Sequence, residues 1–283
     1  MIKRLSITLF VLTTWYGFGQ DKVTEAFAGT RVINNHSNET LPKNTLEFII
    51  GHKFGDIAGA TGGVDNFFGF DNIADVRFAF EYGIIDNLDI GIGRSKGVGA
   101  RTQMLDGYAK YSILQQKTSG MPISLTFVSS FAFSYVKQSH DSTALASYPT
   151  FWNRMIFTNQ LLVTRKFGNR FTWQVNFGYN HRNYVKYDQI NGVYFVGTSG
   201  RLRFTKNIAL LAEYNYTFNR LPTENHQDPL SFGIEITTGG HIFALHFSNA
   251  KSLNENLFIP ETTSNWGKGQ WRFGFTFNRR FKL

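Results

Sequence analysis

Residues 246–249 read His-Phe-Ser-Asn, a spacing that chemistry can use. On an extended chain a histidine and a serine at i and i+2 share one face, which sets an imidazole beside a hydroxyl that it could deprotonate. His246 would then be the general base and Ser248 the nucleophile of an ester hydrolase. The flanking residues temper that reading. Phe243, Leu245 and Phe247 take the other face and are apolar, so His246 and Ser248 face whatever lies on the polar side, and no acidic residue to orient the imidazole stands out. The plainer reading is a pair of polar lining residues.

Other chemical spacings are weaker. GIGRSKGVG at 91–99 has the glycine density of a phosphate loop, but no helix pattern follows it to supply a dipole. The loop GDIAGATGGVDNFFGFDN holds Asp56, Asp65 and Asp71 without the spacing of a calcium loop, and Asp, Asn and Gly are ordinary loop formers. The seven histidines are scattered with no His-x₃-His pair, and there is no cysteine, so no metal, cofactor or disulfide framework is expected.

The elements that carry these residues alternate with period two. In the last stretch, GQWRFGFTFNRRFKL, Trp271, Phe273, Phe275, Phe277 and Phe281 oppose Arg272, Gly274, Thr276, Asn278 and Arg280. The pattern recurs at 45–54, 73–84, 88–96, 103–115, 123–135, 152–167, 171–182, 193–205, 207–218, 229–238, 240–249 and 269–281. The connections also alternate. Short turns at 85–87, 168–171, 205–206 and before His241 separate longer loops near 56–72, 136–150, 183–192, 219–228 and 250–268. Short turns on one rim and long loops on the other are the habit of an outer-membrane barrel, with the short side periplasmic. The expected fold is therefore all-β: an antiparallel up-and-down transmembrane β-barrel of about twelve strands. Trp152, Trp173, Tyr214, Tyr216 and Trp271 fall towards strand ends, where interfacial girdles sit.

The chain opens with Lys3 and Arg4, an apolar run from Leu5 to about Phe18, and Gly17 and Gly19 as a small-x-small site, the pattern of a Sec signal peptide. The expected division is signal peptide 1–19, a polar periplasmic leader 20–44 that could act as a partial plug through FAGTRVINN, and a barrel at 45–283. The formal net charge of +9 is spread over many strands rather than gathered in one stripe, which argues against nucleic acid and for anionic solutes or lipid headgroups.

In that register the polar faces place Asp75, Arg77, Glu81, Arg201, Arg203, Glu213, Arg272 and Arg280 in the lumen, where they either line a water-filled path or pair off to fill a closed interior.

Three resemblances add to this. The stretches LEFIIGHKFG, FEYGIIDNLDIGIGRS, DGYAKYSILQQ and GGHIFALHFSNAKSLNENLFIPETTSNWGKGQWRFGFTF resemble a domain-of-unknown-function family of membrane β-barrels found in Bacteroidetes-type bacteria. That resemblance implies the fold and no reaction. His-x-Ser-Asn on a strand also resembles outer-membrane lipid A deacylases and phospholipases, which would give His246 and Ser248 the roles above. The terminal aromatic strand resembles those that the barrel assembly machinery reads, and the chain ends on Leu283 rather than Phe. The leading expectation is a channel for small solutes, anionic rather than cationic. The alternatives are a closed scaffold barrel that contacts other envelope proteins and a lipid hydrolase. The expected partners are outer-membrane lipid and lipopolysaccharide, the assembly machinery and a small solute.

Overall fold

The computed structural model describes residues 22–98 and 101–283. The expected signal peptide, 1–19, lies outside them. Among the described residues twelve strands follow one another: β1 (Thr45–Phe54), β2 (Ile73–Ile85), β3 (Leu88–Gly97), β4 (Gln103–Leu114), β5 (Ser124–Ser134), β6 (Met155–Phe167), β7 (Phe171–Arg182), β8 (Gly192–Arg203), β9 (Ile208–Thr217), β10 (Leu230–Thr238), β11 (His241–Ser248) and β12 (Arg272–Lys282). Each pairs antiparallel with the next. β1 pairs with β12 from Thr45↔Lys282 to Lys53↔Gly274, so the sheet is a closed barrel with no free edge.

Burial along the strands is the reverse of a soluble protein's. Phe80 and Phe177 are 47% and 51% exposed on the outer surface, while Glu81 and Lys110 are fully buried at 0%. A bilayer resolves the inversion: the outer apolar band faces lipid, and the polar residues that alternate with it face the interior. Outer aromatic rings contact one another across strands, as in the pairs Phe48–Phe80, Phe243–Phe277 and Phe247–Phe273.

The interior is occupied from both ends. The leader is bound at the short-turn rim, where Val23 N donates to Gln116 O (2.8 Å), and runs inward to a tight turn closed by Val32 N to Asn35 O (2.9 Å) and Ser37 N to Thr30 O (3.0 Å). It then returns to the same rim, where the Leu41 amide donates to both carboxylate oxygens of Asp89 at 2.9 Å. Gly83 permits the exit: a Cβ there would lie 2.3 Å from the Pro42 carbonyl oxygen. From the opposite end, the connection between β11 and β12 folds inward and forms a short helix, α1 (Glu255–Glu261). The Asn254 side chain caps it by accepting from Asn256 N, and Glu255 through Pro260 are buried.

Packing of these two segments is patchy. Phe27, Val32 and Ile33 of the leader meet Leu211 and Ala244 of the wall. Phe258 and Ile259 of α1 meet Phe195 and Ala250, and Leu257 meets Met104, Ala132 and Ile156. Between these clusters the contacts are polar.

Three expectations need correction. The segment near 250–268 is not simply a surface loop, because its run Leu257-Phe258-Ile259 is apolar and turns into the lumen. The strand expected at 152–167 begins at Met155, so Trp152 lies just ahead of it, in a 3-10 turn (Phe151–Arg154). The alternation of connections is also imperfect: residues 98–102, on the long-loop rim, are few, and 115–123, on the short rim, are many. A topology test follows. Because the chain contains no cysteine, each introduced thiol reports alone. On intact cells an impermeant maleimide should modify Asp141→Cys but not the buried position in Ile259→Cys, and should reach Asn169→Cys only after the outer membrane is permeabilised. Labelling of Asn169→Cys on intact cells would invert the orientation.

Candidate functional site

The two inserted segments meet in mid-lumen at one carboxylate. Glu255, the first residue of α1, accepts from Arg31 Nη1 at 2.8 Å and from His36 Nε2 at 2.9 Å, and both partners belong to the leader turn. Burial, and then the nearby Arg31 guanidinium, push the His36 imidazole down to about 4, so at neutral pH the ring is uncharged and donates its Nε2–H to Glu255. Burial alone would raise the Glu255 carboxyl, but Arg31 and His36 more than offset it and hold the group well below the usual carboxylate range. The wall completes the junction. Tyr108 stands edge-on to His36 with ring centroids 4.7 Å apart, and Lys110 Nζ donates to Thr30 O at 2.8 Å. Thr30 Oγ1 donates to Glu81, which also lies 3.8 Å from Arg31 Nε.

A second carboxylate serves the same turn. Glu213 on β9 accepts from the backbone amides of Asn34 (2.9 Å) and Asn35 (3.0 Å) and from the Asn34 side chain. An anionic acceptor thus takes up amides that a tight turn leaves without partners. Arg77 and Asp106 form a two-bond pair across β2 and β4, at 2.5 and 3.2 Å.

Towards the long-loop end, Asp75 accepts from Leu253 N (2.8 Å) and Ser252 Oγ (3.2 Å), and Lys53 Nζ donates to Ser252 O (2.8 Å). Arg272 Nη1 donates to Asn249 O at 2.9 Å. Glu261, the last residue of α1, pairs with Arg101 and lies 3.6 Å from Arg182 Nη1. A cavity of about 150 Å³ remains between this helix and the wall, lined among others by Asp75, Arg101, Lys251 and Glu261.

At the short-turn end Arg201 pairs with Glu235 at 2.7 Å, while Arg280 pairs with Glu47 at 3.2 Å and donates from Nη2 to Ala28 O at 2.9 Å. Arg203, two residues beyond Arg201 on the same inward face, is half-buried at the rim. Of the eight charged residues that the alternation turned inward, seven thus bond an inserted segment or a partner on the wall, and Arg203 forms no ion pair among the described residues.

His246 and Ser248 do not form a dyad. Both are fully buried on the inner face. Ser248 Oγ accepts from Ser231 Oγ at 2.9 Å and from Ala250 N at 3.1 Å, whereas neither nitrogen of His246 has a hydrogen-bond partner among the described residues. Gly274 makes room for that ring, since a Cβ there would lie 2.5 Å from its Cε1. The wall, with Phe243, Leu245 and Phe247 outward, stands between these side chains and a bilayer substrate. Among the described residues no group of three or more His, Cys, Asp or Glu is arranged to hold a metal ion.

Residue spacing missed the centre of this site. Arg31 lies in the strand-like FAGTRVINN of the leader, expected as a partial plug, but His36 and Glu255 lie outside any period-two pattern, and only the meeting of all three in space makes them a set. One signal was available: Asn254 followed by Glu255, Asn256 and an apolar run has the form of a capped helix start.

The whole chain can now be set beside known proteins. No curated protein matches its sequence. Among solved structures it is similar to an outer membrane channel from Pseudomonas putida F1, at 13% identity and a TM-score of 0.50, covering 87% of this chain and 98% of that one. It is also similar to the NanC porin (9% identity, TM-score 0.49, 84% and 100% covered) and to the KdgM porin (8%, 0.47, 84% and 99%). At such identities the first likeness speaks for the fold alone, and the other two only accompany it. The family match is more specific. Over residues 27–281, which take in the leader turn, α1 and the twelve strands up to the penultimate residue of β12, this chain belongs to the family of the membrane bound beta barrel domain (DUF5777).

Proposed function

We propose that the protein is an outer-membrane channel for small solutes, anionic rather than cationic, closed in this conformation by its own leader and by the connection that carries α1. The observation that carries the reading is how the two segments are held. They meet through Glu255, Arg31 and His36 and bind the wall largely through single polar contacts, such as Lys110 to Thr30 O, Arg280 to Ala28 O and Gln174 to His36 O. Such contacts exchange for contacts with water at a modest net cost, about 1 kcal/mol for a neutral pair and roughly 1.5–3 kcal/mol where the donor is charged, whereas a continuous apolar core would resist displacement. The wall behind them is lined with Gln174, Asn176, Asn180, Asn215 and Ser199, a surface suited to water. Export by the Sec route and insertion by the assembly machinery through β12 belong to the same reading.

A filled lumen also favours a second reading, a closed scaffold barrel whose outer loops contact other envelope proteins. Conductance separates the two. In planar bilayers the full mature chain should show small or rare openings, and deletion of residues 22–40 should raise single-channel conductance several-fold while the barrel still inserts. A deletion variant that inserts and stays silent would leave the scaffold standing.

The junction also makes opening sensitive to pH. His36 is neutral while the lumen is closed, with its imidazole near 4, and should return towards the ordinary value of about 6.5 once its segment is in water. Opening then takes up a proton at any pH between those values. The closed form keeps its full advantage above about pH 6.5 and loses it progressively as the pH falls towards 4, by up to about 3 kcal/mol. Glu255, held well below the usual carboxylate range while the lumen is closed, returns towards about 4.5 once released, so it takes up protons only at the acid end of this window and in the same direction as His36. The groups that face the ring are Glu255 from α1, Arg31 from the leader, Tyr108 and Lys110 from β4, and Glu81 from β2. Open probability should therefore rise between pH 7 and 4.5, and His36→Gln should flatten the response. A flat response in the parent chain would remove His36 from the gate.

A further inference from the structure

The geometry points to a binding pocket for a multiply charged oxyanion at the short-turn mouth, between the leader and the ends of β8 to β12. This cavity of about 380 Å³ is lined by Arg201, Arg203, Lys206 and Arg280 together with Asn207, Thr237 and the leader's Glu25. Two of these cations are spoken for by carboxylates, Arg201 by Glu235 and Arg280 by Glu47. Arg203 and Lys206 form no ion pair among the described residues. Lys166 adds a further charge at the same mouth, because its ammonium donates to Thr24 O at 2.7 Å. Glu25 is the one carboxylate among the lining residues, against four cations. Like charges held this close repel one another, and an anion seated between them relieves that repulsion while accepting from forked guanidinium donors.

Size and position narrow the ligand. The cavity falls within the range of small-molecule sites, roughly 300–1,000 Å³, so a lone halide would leave it nearly empty, whereas a di- or tricarboxylate or a diphosphate would span two or more cations. Arg201 and Arg203 alternate with Leu202, which is 41% exposed on the lipid side, so these guanidiniums lie on the inner side of the wall from the bilayer. The ligand is therefore a soluble anion that arrives through water, not a lipid headgroup. This names a solute class for the channel reading and rests on that reading for its purpose, but the binding itself does not require an open lumen.

Equilibrium binding tests it on the purified full mature chain in a zwitterionic detergent at low salt, by calorimetric titration with citrate in one arm and pyrophosphate in the other. We expect saturable binding in at least one arm, weakened about tenfold or more by the double variant Arg203→Gln, Lys206→Gln and unchanged by Lys137→Gln in the exposed loop at the far rim. Both pocket substitutions lie at the rim, and heat-modifiable mobility on gels verifies that the barrel is intact. Arg203→Lys, which keeps the charge and loses the fork, should fall between parent and double variant. The pocket is overturned if neither anion saturates, if the double variant binds like the parent, or if Lys137→Gln weakens binding equally, since the last result is surface charge alone. Conductance of the same preparations separates the two ideas: binding without conductance keeps the pocket and removes the channel, and conductance without binding does the reverse.

Discussion

Closure of β1 onto β12 is the constraint on which the rest of this structure depends. In hydrocarbon an unpaired backbone amide has no water to turn to, so every strand must have two neighbours, and twelve strands must meet as a ring. Once the ring is closed, the alternation of side chains along each strand is no longer a choice between core and solvent. One set of residues must satisfy lipid and the other must satisfy an enclosed polar space. Phe80 and Glu81, neighbours in sequence and opposite in burial, show the two demands on consecutive residues.

The enclosed space then has its own electrostatic problem. Buried charges without partners are costly, and the wall alone does not partner all of those it carries. Arg77 with Asp106 and Arg201 with Glu235 are pairs within the wall. Glu81, Glu213 and Asp75 instead find their donors on the inserted segments, in Thr30, the Asn34 and Asn35 amides, and the Leu253 amide. The leader and the α1 connection are thus part of the charge arrangement as well as occupants of the lumen. Removing either without supplying water in its place would strand carboxylates in a low-dielectric interior.

The barrel was legible in sequence because its signal is local and repeated. The alternation at 45–54 and 171–182 coincides with β1 and β7, and strand ends elsewhere shift by one to three residues, as at 152–167, where Phe151–Arg154 forms a turn before β6 begins. The same alternation sets the register, and Asp75, Arg77, Glu81, Arg201, Glu213 and Arg272 are buried on the inner face. What alternation could not supply was anything inside the ring. Arg31 and Glu255 are 224 residues apart and sit in segments whose conformation is set by the wall around them rather than by their own periodicity. The His246 and Ser248 pairing failed for a different reason: sharing a face is necessary for a dyad, but Ser248 is engaged by Ser231 and Ala250.

The way the lumen is filled bears on what it is for. A barrel that only needed to be solid could carry large apolar side chains on its inner face, which pack without hydrogen-bonding demands and stabilise at roughly 25 cal/mol per Å² buried. This one carries asparagine, glutamine, serine and threonine there, and admits two segments from opposite rims that meet at a single carboxylate. Joining at Glu255 couples them. If the leader turn withdraws, Glu255 loses Arg31 and His36 together, so the α1 connection is left with a buried charge and the means of its own closure is weakened. Entry of water would then stabilise the separated state on both sides at once. On the channel reading proposed above, two segments that share this ion pair in addition to their separate bonds to the wall would be released together, as one gate.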